Sequence, residues 1–453
     1  MTINASELDW AAVETEVVEM LRGLLRLDTT NPPGNEILAA EYLADILTAN
    51  GIAPTVLSSA PGRGNVVARL KGDGSGPPLL LMGHIDVVPA EPDKWRYPPF
   101  SGALVDGEVW GRGATDMKNV VTMELMVFLL VKRLGLPLKR DLIFMATADE
   151  EVGGAMGAGW LVDNHPQLIR AEYAINEGGP TAIVFGDRTF FACSTAEKGT
   201  ARFTLRTRGA PGHASLPHND NAILKLGAAL QHLGATSLPM HIIPTVRAHV
   251  EAIAAHLAPA EAANLRNVLS DDPAVQAEAI ARLPLPDVGK RRMVAATHNT
   301  ATPTILGAGS KINVIPAEAE ALVDGRILPG QTGEGFMAEL RAALGDDVEL
   351  EFHEPVSPGL EADPASPLFA LIQEVVAAHE PGAVVVPALI TGGTDAKSVV
   401  RMGTKVLGFV PMRYEGPALS GLAHNHNERV SVANLSFGTR IYFDVVTRWC
   451  GGG

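Results

Sequence analysis

The chain has 453 residues, 46% of them hydrophobic and 19% charged, with a formal net charge of −15 at pH 7. That length allows two domains, or three, with sizeable cores. The acidic balance and the lack of any Lys/Arg-rich run argue against a nucleic-acid or anionic-membrane partner. The two cysteines, Cys193 and Cys450, lie far apart and form neither a zinc knuckle nor a disulfide framework. With Glu7, Asp9, Glu14 and Glu16, the N-terminal stretch is unlike a signal peptide, and no apolar run is long enough to span a bilayer. The expectation is a cytoplasmic enzyme or binding protein.

In chain order, residues 10–27 read as an amphipathic helix and 30–34 as a Pro-Pro-Gly turn. Residues 36–50 form a second helix, stopped by Gly51. A β-rich run at 65–70 and a Gly/Pro turn lead to Leu79-Leu80-Leu81-Met82-Gly83-His84-Ile85-Asp86. This reads as a buried parallel strand that delivers polar side chains at its C-terminal end. A rigid Pro-rich loop follows at 89–100, and residues 117–134 are apolar nearly all round, as in a buried helix. Buried strands at 142–148 and 173–176 end in Asp149-Glu150-Glu151 and Glu177-Gly178-Gly179. Strands alternating with helices argue a parallel α/β sheet.

The texture changes after about Lys198. Residues 201–208 and 319–328 alternate apolar with polar, as half-exposed antiparallel strands do. Helices at 221–233 and 335–344, a strand at 348–353 and an Ala-rich polar segment at about 240–298 complete an α+β insert. The α/β pattern resumes after a Pro-rich linker at 355–367, with a helix to His379, strands at 384–390 and 405–410, and a last helix at 431–448. The fold class read from the sequence is α/β: a mostly parallel sheet with helices on both faces over 1–197 and 356–453. An α+β domain is inserted at 198–355, with an extra helical segment at about 240–298.

The strand-end polar residues are His84, Asp86, Asp116, Glu150, Glu151 and Glu177, with His424 and His426 near the C-terminus. Ligands of open parallel sheets bind outside the carboxyl ends of the strands, so these residues should converge. So many carboxylates repel too strongly to stay ionised without a cation among them. Mixed His and carboxylate donors favour zinc, with manganese or cobalt as substitutes. Two zinc ions sharing one bridging carboxylate fit the inventory. Each would take one His and one terminal carboxylate, with Asp116 and a water between them. His84 and Asp86, two apart on an extended chain, share a face, so Asp86 is a candidate to orient His84. Glu150 and Glu151, as neighbours on an extended chain, point apart, so one can bind metal while the other faces the water as general base. Taken alone, His-x-Asp and Asp-Glu-Glu are ordinary structural or solvated motifs; their succession at strand ends is what carries the reading.

Several motifs together resemble a known family. These are Gly83-His84-Ile85-Asp86-Val87-Val88-Pro89, Trp110-Gly111-Arg112-Gly113-Ala114-Thr115-Asp116-Met117-Lys118, Asp149-Glu150-Glu151-Val152-Gly153 and Asn176-Glu177-Gly178-Gly179. Further on stand Gly209-Ala210-Pro211-Gly212-His213-Ala214-Ser215, Asn313-Val314-Ile315-Pro316, Gly392-Gly393-Thr394-Asp395 and His424-Asn425-His426-Asn427-Glu428. Over most of its length the chain is similar to the di-zinc exopeptidases and deacylases that include aminoacylase, glutamate carboxypeptidase, acetylornithine deacetylase and succinyl-diaminopimelate desuccinylase. Trp95, Pro99 to Gly102, Leu328 to Thr332 and the long helical segment are closest in texture to the carboxypeptidase-S and N-acyl-amino-acid hydrolase branch.

The resemblance implies that His84, Asp116 and Glu177 bind one zinc and that Asp116, Glu151 and His424 bind the other. It implies Glu150 as general base, Asp86 orienting His84, and a cis peptide between Asp116 and Met117. His424, four residues before Glu428, matches the family's ligand; His426 is then a pocket neighbour or a hydrogen-bonded loop residue. His213 would polarise the scissile carbonyl. Asn313, Arg326 and the Gly392-Gly393 backbone would hold a substrate carboxylate, Arg326 being nearly as well read as a salt-bridged strand residue. Lys397 stands where some relatives carry arginine, and offers a point charge without the bidentate fork. The inserted domain would serve as lid and dimerisation domain, making a homodimer in which His213 reaches the other subunit's site, unless segment 240–298 covers the pairing edge. The expected function is amide hydrolysis of small peptides or N-acyl amino acids carrying a free carboxylate. The alternatives are a non-catalytic relative that binds a metabolite or partner, and phosphoester hydrolysis, for which no phosphate-cradling loop is present.

Overall fold

The computed structural model describes residues 8–179 and 181–451, so Glu7 lies outside the described residues. The chain divides into two compact units. One contains the chain up to Thr195, Pro364–Val386 and the residues from Thr394 onward; the other contains Ala196–Asp363 and Pro387–Gly393. Among the described residues no helix is long and apolar enough to cross a membrane.

The first unit is built on a sheet whose neighbouring strands run Thr55–Ala60, Arg63–Leu70, Arg140–Thr147, Gly76–His84, Tyr173–Asn176, Lys405–Phe409 and Arg188–Glu197. The four central strands, from Arg140–Thr147 to Lys405–Phe409, are parallel, and antiparallel strands extend them on both sides. In register, His84 lies beside Thr147, and Leu79 to Leu81 lie beside both Leu142–Phe144 and Tyr173–Ile175. The parallel strands therefore stop at one edge, where their last polar residues emerge together.

Alternation along these strands sorts the core into two layers. Leu80, Met82, Ile143 and Met145 pack with Ala158, Leu161 and Val162 of the helix Ala158–Asn164. On the opposite face Phe144 meets Phe128 of the helix Lys118–Arg133 at 6.0 Å between ring centroids. There Gly83 is required by close approach: a Cβ would stand 2.6 Å from Met117 Cε and 2.8 Å from Val121 Cγ2. Lys118 to Val131 are all buried, because the helix is enclosed by the sheet and by the helix Val432–Cys450. Gly438 of that helix leaves room for Met123.

The second unit carries an antiparallel sheet in which Glu318–Ile327 is flanked on one side by Phe203–Arg208 and Gly199–Thr200 and on the other by Thr300–Ala308. One face buries Phe203, Leu205, Ala321, Val323 and Ile327 against Leu226, Leu233, Phe336 and Leu340 of the helices Ala222–Ala235 and Gly333–Leu344. The alternate residues form an ion-pair ladder, with Arg206 on Glu320 at 3.0 Å and Arg208 on Glu318 and Glu349 at 3.2 and 2.6 Å. The 240–298 segment is four short helices, Pro244–Ala254, Pro259–Arg266, Pro273–Ala281 and Asp287–Thr297, three of which place proline at the first turn, where no hydrogen bond is lost.

Within the Lys118–Arg133 helix, Glu124 is fully buried and neither carboxylate oxygen finds a hydrogen-bond partner. Burial pushes its carboxyl well above the ordinary carboxylate range, so the native state holds it neutral. The unfolded chain ionises it at the usual pH, and stability is lost as pH rises above that point, by at most about 1.4 kcal/mol per pH unit. Glu124→Gln removes the titration. Urea denaturation is expected to give similar midpoints for the two proteins near pH 5 and a higher midpoint for the variant near pH 8. Parallel pH dependences would show that Glu124 is not the group responsible.

Candidate metal centre

Two His–carboxylate groups lie at the C-terminal edge of the parallel strands and share one residue. His84, Asp116 and Glu177 form the first, and Asp116, Glu151 and His424 the second; within each, the candidate ligand atoms all lie within 4.8 Å of one another. Asp116 offers a different oxygen to each group. Its Oδ1 is 3.1 Å from His84 Nε2, and its Oδ2 is 3.1 Å from His424 Nε2, which is also 3.1 Å from Glu151 Oε2. Glu177 Oε1 lies 4.0 Å from His84 Nε2. The Asp116–Met117 peptide is cis.

The tautomer of His84 follows from its other nitrogen. Nδ1 lies 3.0 Å from the main-chain oxygen of Asp86, and a carbonyl only accepts, so Nδ1 carries the hydrogen. When neutral, the ring then presents the Nε2 lone pair to Asp116 and Glu177, as a metal ligand must. The orienting group is thus the Asp86 carbonyl more than its carboxylate, whose Oδ1 is 3.5 Å away. The regular strand ends at His84, and the Asp86 carboxylate still lies on the side of the His84 ring.

The Asp86 carboxylate instead accepts from the main-chain N–H groups of Glu150 and Glu151, both at 3.1 Å, and from Asn31 Nδ2 at 2.8 Å. Glu150 and Glu151 sit on a tight helical turn, Glu150–Val152, entered through Asp149 at φ +76°. This corrects the extended-chain argument for their divergence: a turn separates the two carboxylates. Asp149 is held by an ion pair and hydrogen bond from Arg63 and by Met156 N at 2.8 Å. A non-glycine residue in this region costs roughly 1–2 kcal/mol, which those partners offset.

Electrostatics favours a cation here. Burial alone would lower the His84 imidazole, yet Asp116 and Asp86 raise it well above its ordinary range. His424 is pushed up to about 10 by its hydrogen bonds to Asp116 and Glu151. Burial would raise Asp116, but His424 and His84 outweigh it and hold that carboxyl below the usual range. The carboxylates therefore recruit positive charge onto both rings. Oxygen Oε1 of Glu151 is buried without a hydrogen-bond partner. A set of two imidazoles and three carboxylates with that demand fits two divalent ions. Glu150 stands beside this set, with burial pushing its carboxyl up to about 8.

The second unit, described by itself, holds the other expected site residues. His213 lies on the two-residue strand Gly212–His213, opposite Val314, and its Nδ1 is 2.7 Å from Ser215 Oγ. Asn313 accepts Ala214 N through its main-chain oxygen at 3.1 Å, so the two residues share one ladder. Arg326 is engaged by Asp324 through Nε at 2.6 Å and a second nitrogen at 3.1 Å, the salt-bridged state the sequence reading left open. Gly392 and Gly393 lie on an accessible turn. His426, in the first unit, is bonded to Glu91 at 2.8 Å and is a loop residue.

Sequence reasoning missed the supports. Asn31 and Arg63 carry no local signal, since a turn asparagine and a strand arginine are commonplace. Asp395 and Glu428 were visible as motif members, without a role. Asp395 is buried, accepts from Thr147 Oγ1 at 2.8 Å, and is pushed up to about 6 by burial.

Residues 80–448 match the profile of peptidase family M20/M25/M40. The chain is 28% identical to the mouse N-fatty-acyl-amino acid synthase/hydrolase PM20D1, covering 95% of this chain and 87% of that protein. It is also 28% identical to rat aminoacylase-1A, over 95% and 94% of the two chains. Among solved structures, the Bacillus subtilis YXEP protein, a dinuclear metal-binding peptidase from the M20 family, superposes with a TM-score of 0.62 at 15% identity, over 97% of this chain and 99% of that one. The chain belongs to peptidase family M20/M25/M40 and is a metal-dependent hydrolase of that family.

Proposed function

We propose that the protein hydrolyses the amide bond of small peptides or N-acyl amino acids bearing a free carboxylate. The observation that carries this reading is the division of Asp116 between two His–carboxylate groups with the buried Glu150 beside them. Both substrate types are those of the relatives named above, and both present an amide carbonyl to the same machinery. His84, Asp116 and Glu177 would hold one divalent ion and Asp116, Glu151 and His424 the other, zinc in our reading, with cobalt or manganese as substitutes. Bound there, the ions would supply Lewis acidity toward the carbonyl and would make the attacking water easier to deprotonate. Glu150 accepts the proton of the attacking water and passes it to the leaving nitrogen as the tetrahedral carbon collapses. Its burial suits that task, because a carboxyl raised above the ordinary carboxylate range is a stronger base toward the proton of the water. His213 would donate to the carbonyl oxygen as charge develops on it, and Asn313 and the Gly392-Gly393 backbone would receive the substrate carboxylate. Arg326 joins them only by exchanging Asp324 for the substrate.

A homodimer formed through the second unit is part of the reading. The outer strand of its sheet, Thr300–Ala308, leaves Ile305 59% and Leu306 64% exposed, so the four-helix segment does not cover this edge. Such an unpaired apolar edge is a template for strand pairing.

Three measurements test the reading. A screen of N-acyl amino acids and dipeptides on zinc-loaded protein, read by release of free amine, is expected to find turnover; bound zinc with no turnover would favour a non-catalytic binding protein. Glu150→Gln is expected to retain two ions by metal analysis and lose activity about 10²–10⁴-fold, whereas Glu151→Gln loses metal. Equal metal content and equal residual activity in the two variants would overturn the division of roles. Mixing Glu150→Ala with His213→Ala subunits is expected to restore about a quarter of wild-type activity after random exchange, since half the dimers are mixed and each has one intact site. No recovery after verified exchange would place His213 in its own subunit's site or outside catalysis.

A further inference from the structure

Glu428 is wholly buried, and its carboxylate accepts five hydrogen bonds. Oxygen Oε2 takes Arg112 at 2.8 Å and Gly113 N at 3.0 Å. Oxygen Oε1 takes Thr115 N at 2.7 Å, Thr115 Oγ1 at 3.0 Å and Asp116 N at 3.1 Å. A carboxylate has about four lone-pair directions, so this one is saturated. Every donor comes from the segment 112–116 that ends in the shared ligand Asp116. Glu428 itself closes the segment 424–428 that begins with the ligand His424. The main chains are joined as well: Gly111 N donates to Glu428 O at 3.0 Å, extending the pairing of Glu108–Trp110 with Arg429–Ser431, and Arg112 also reaches Asn425 O at 3.2 Å. His424 and Asn427 both hold left-handed backbone, at φ +62° and +60°, so this segment does not keep its shape by intrinsic preference.

We infer that Glu428 is a positioning residue that sets one of the two ion sites by fastening Asp116 and His424 to a single carboxylate. The inference rests on the two-ion reading above. Two of the three ligands of the Asp116–Glu151–His424 group belong to the segments that Glu428 joins: Asp116 ends the donor segment, and His424 begins the segment that Glu428 closes. In the His84–Asp116–Glu177 group only one does, because His84 and Glu177 are carried at the ends of the strands Gly76–His84 and Tyr173–Asn176. Loss of the carboxylate should therefore act unequally on the two sites. A plain loss of negative charge near Asp116 would weaken both, since Asp116 belongs to both.

Glu428→Gln keeps the shape but turns an NH2 group toward donors that need an acceptor. Zinc titration of metal-stripped full-length protein by calorimetry, with His424→Ala run alongside to identify the step that belongs to its site, separates the possibilities. The expected result is that the His424 site weakens about 10–100-fold, the size found for groups that orient metal ligands, while the other site changes by less than about threefold. Equal weakening of both sites, or no change in either, would overturn the inference and leave the two-ion reading standing. Wild-type protein that takes up one ion only would overturn that reading and the inference with it. If Glu428→Gln does not fold, as judged by circular dichroism, Thr115→Ala carries the test. It removes one donor and keeps the carboxylate, and is expected to weaken the His424 site roughly 2- to 10-fold and spare the other. A uniform or absent effect there also overturns the inference.

Discussion

Like charges crowded into one small space are the constraint on which the first unit depends. Asp116, Glu150, Glu151 and Glu177 meet where His84 and His424 bring the only imidazoles of the two candidate groups. In water such a set would disperse. Here the members are fixed by separate parts of the chain, Glu150 and Glu151 by one turn, and the parallel sheet makes that economical, because its strands all end at one edge. The cost of assembling the carboxylates appears in the raised imidazoles, and a pair of divalent ions would relieve it; Glu150 is raised chiefly by its burial.

Around this set lies a second tier of buried polar groups that never reach it as ligands. Asn31, Arg63, Asp149, Asp86 and Glu428 bind main-chain N–H groups or each other, Asp395 takes the Thr147 hydroxyl, and several hold turns in uncommon backbone regions. Without these partners, the Asp149 turn and the His424–Asn427 segment would relax toward ordinary geometry and the ligands would separate. Stability and site geometry are thus the same set of hydrogen bonds seen from two sides.

What the sequence made legible follows the strength of local signals. The apolar run before His84 and the residues 118–131, apolar nearly all round, have no other stable placement than the interior, and both are found there. The clean alternation at 203–208 and 318–327 likewise forms a two-faced antiparallel sheet. The outer strand Thr300–Ala308 was not anticipated, since Pro303 interrupts its pattern; it pairs through a register shift at that point, as an edge strand tolerates. The short ribbon of Ala103–Val105 and Glu108–Trp110 and the strand Ala182–Phe185 also escaped notice, being too brief for periodicity to register. In the candidate site, the residues of the two His–carboxylate groups were legible as candidates because histidines and acids recurring after apolar runs are conspicuous. Their supports were not, because a buried asparagine or arginine gains its meaning only from partners distant in the chain, as Arg63 does from Asp149. The Glu150–Glu151 turn shows the limit of local geometry: the residues were legible and the backbone that separates them was not.

The double engagement of Asp86 has a mechanical consequence. Its carbonyl fixes the His84 ring while its carboxylate fixes the amides of Glu150 and Glu151, so one residue links the end of the strand Gly76–His84 to the turn that follows Arg140–Thr147. Small displacements of that strand end, from thermal motion or from repacking beneath it, are carried to the imidazole and to the turn together. The imidazole and the turn thus share one anchor. Substitutions beneath the sheet should therefore be better accommodated than substitutions at Asp86 itself, which would release the ring and the turn together.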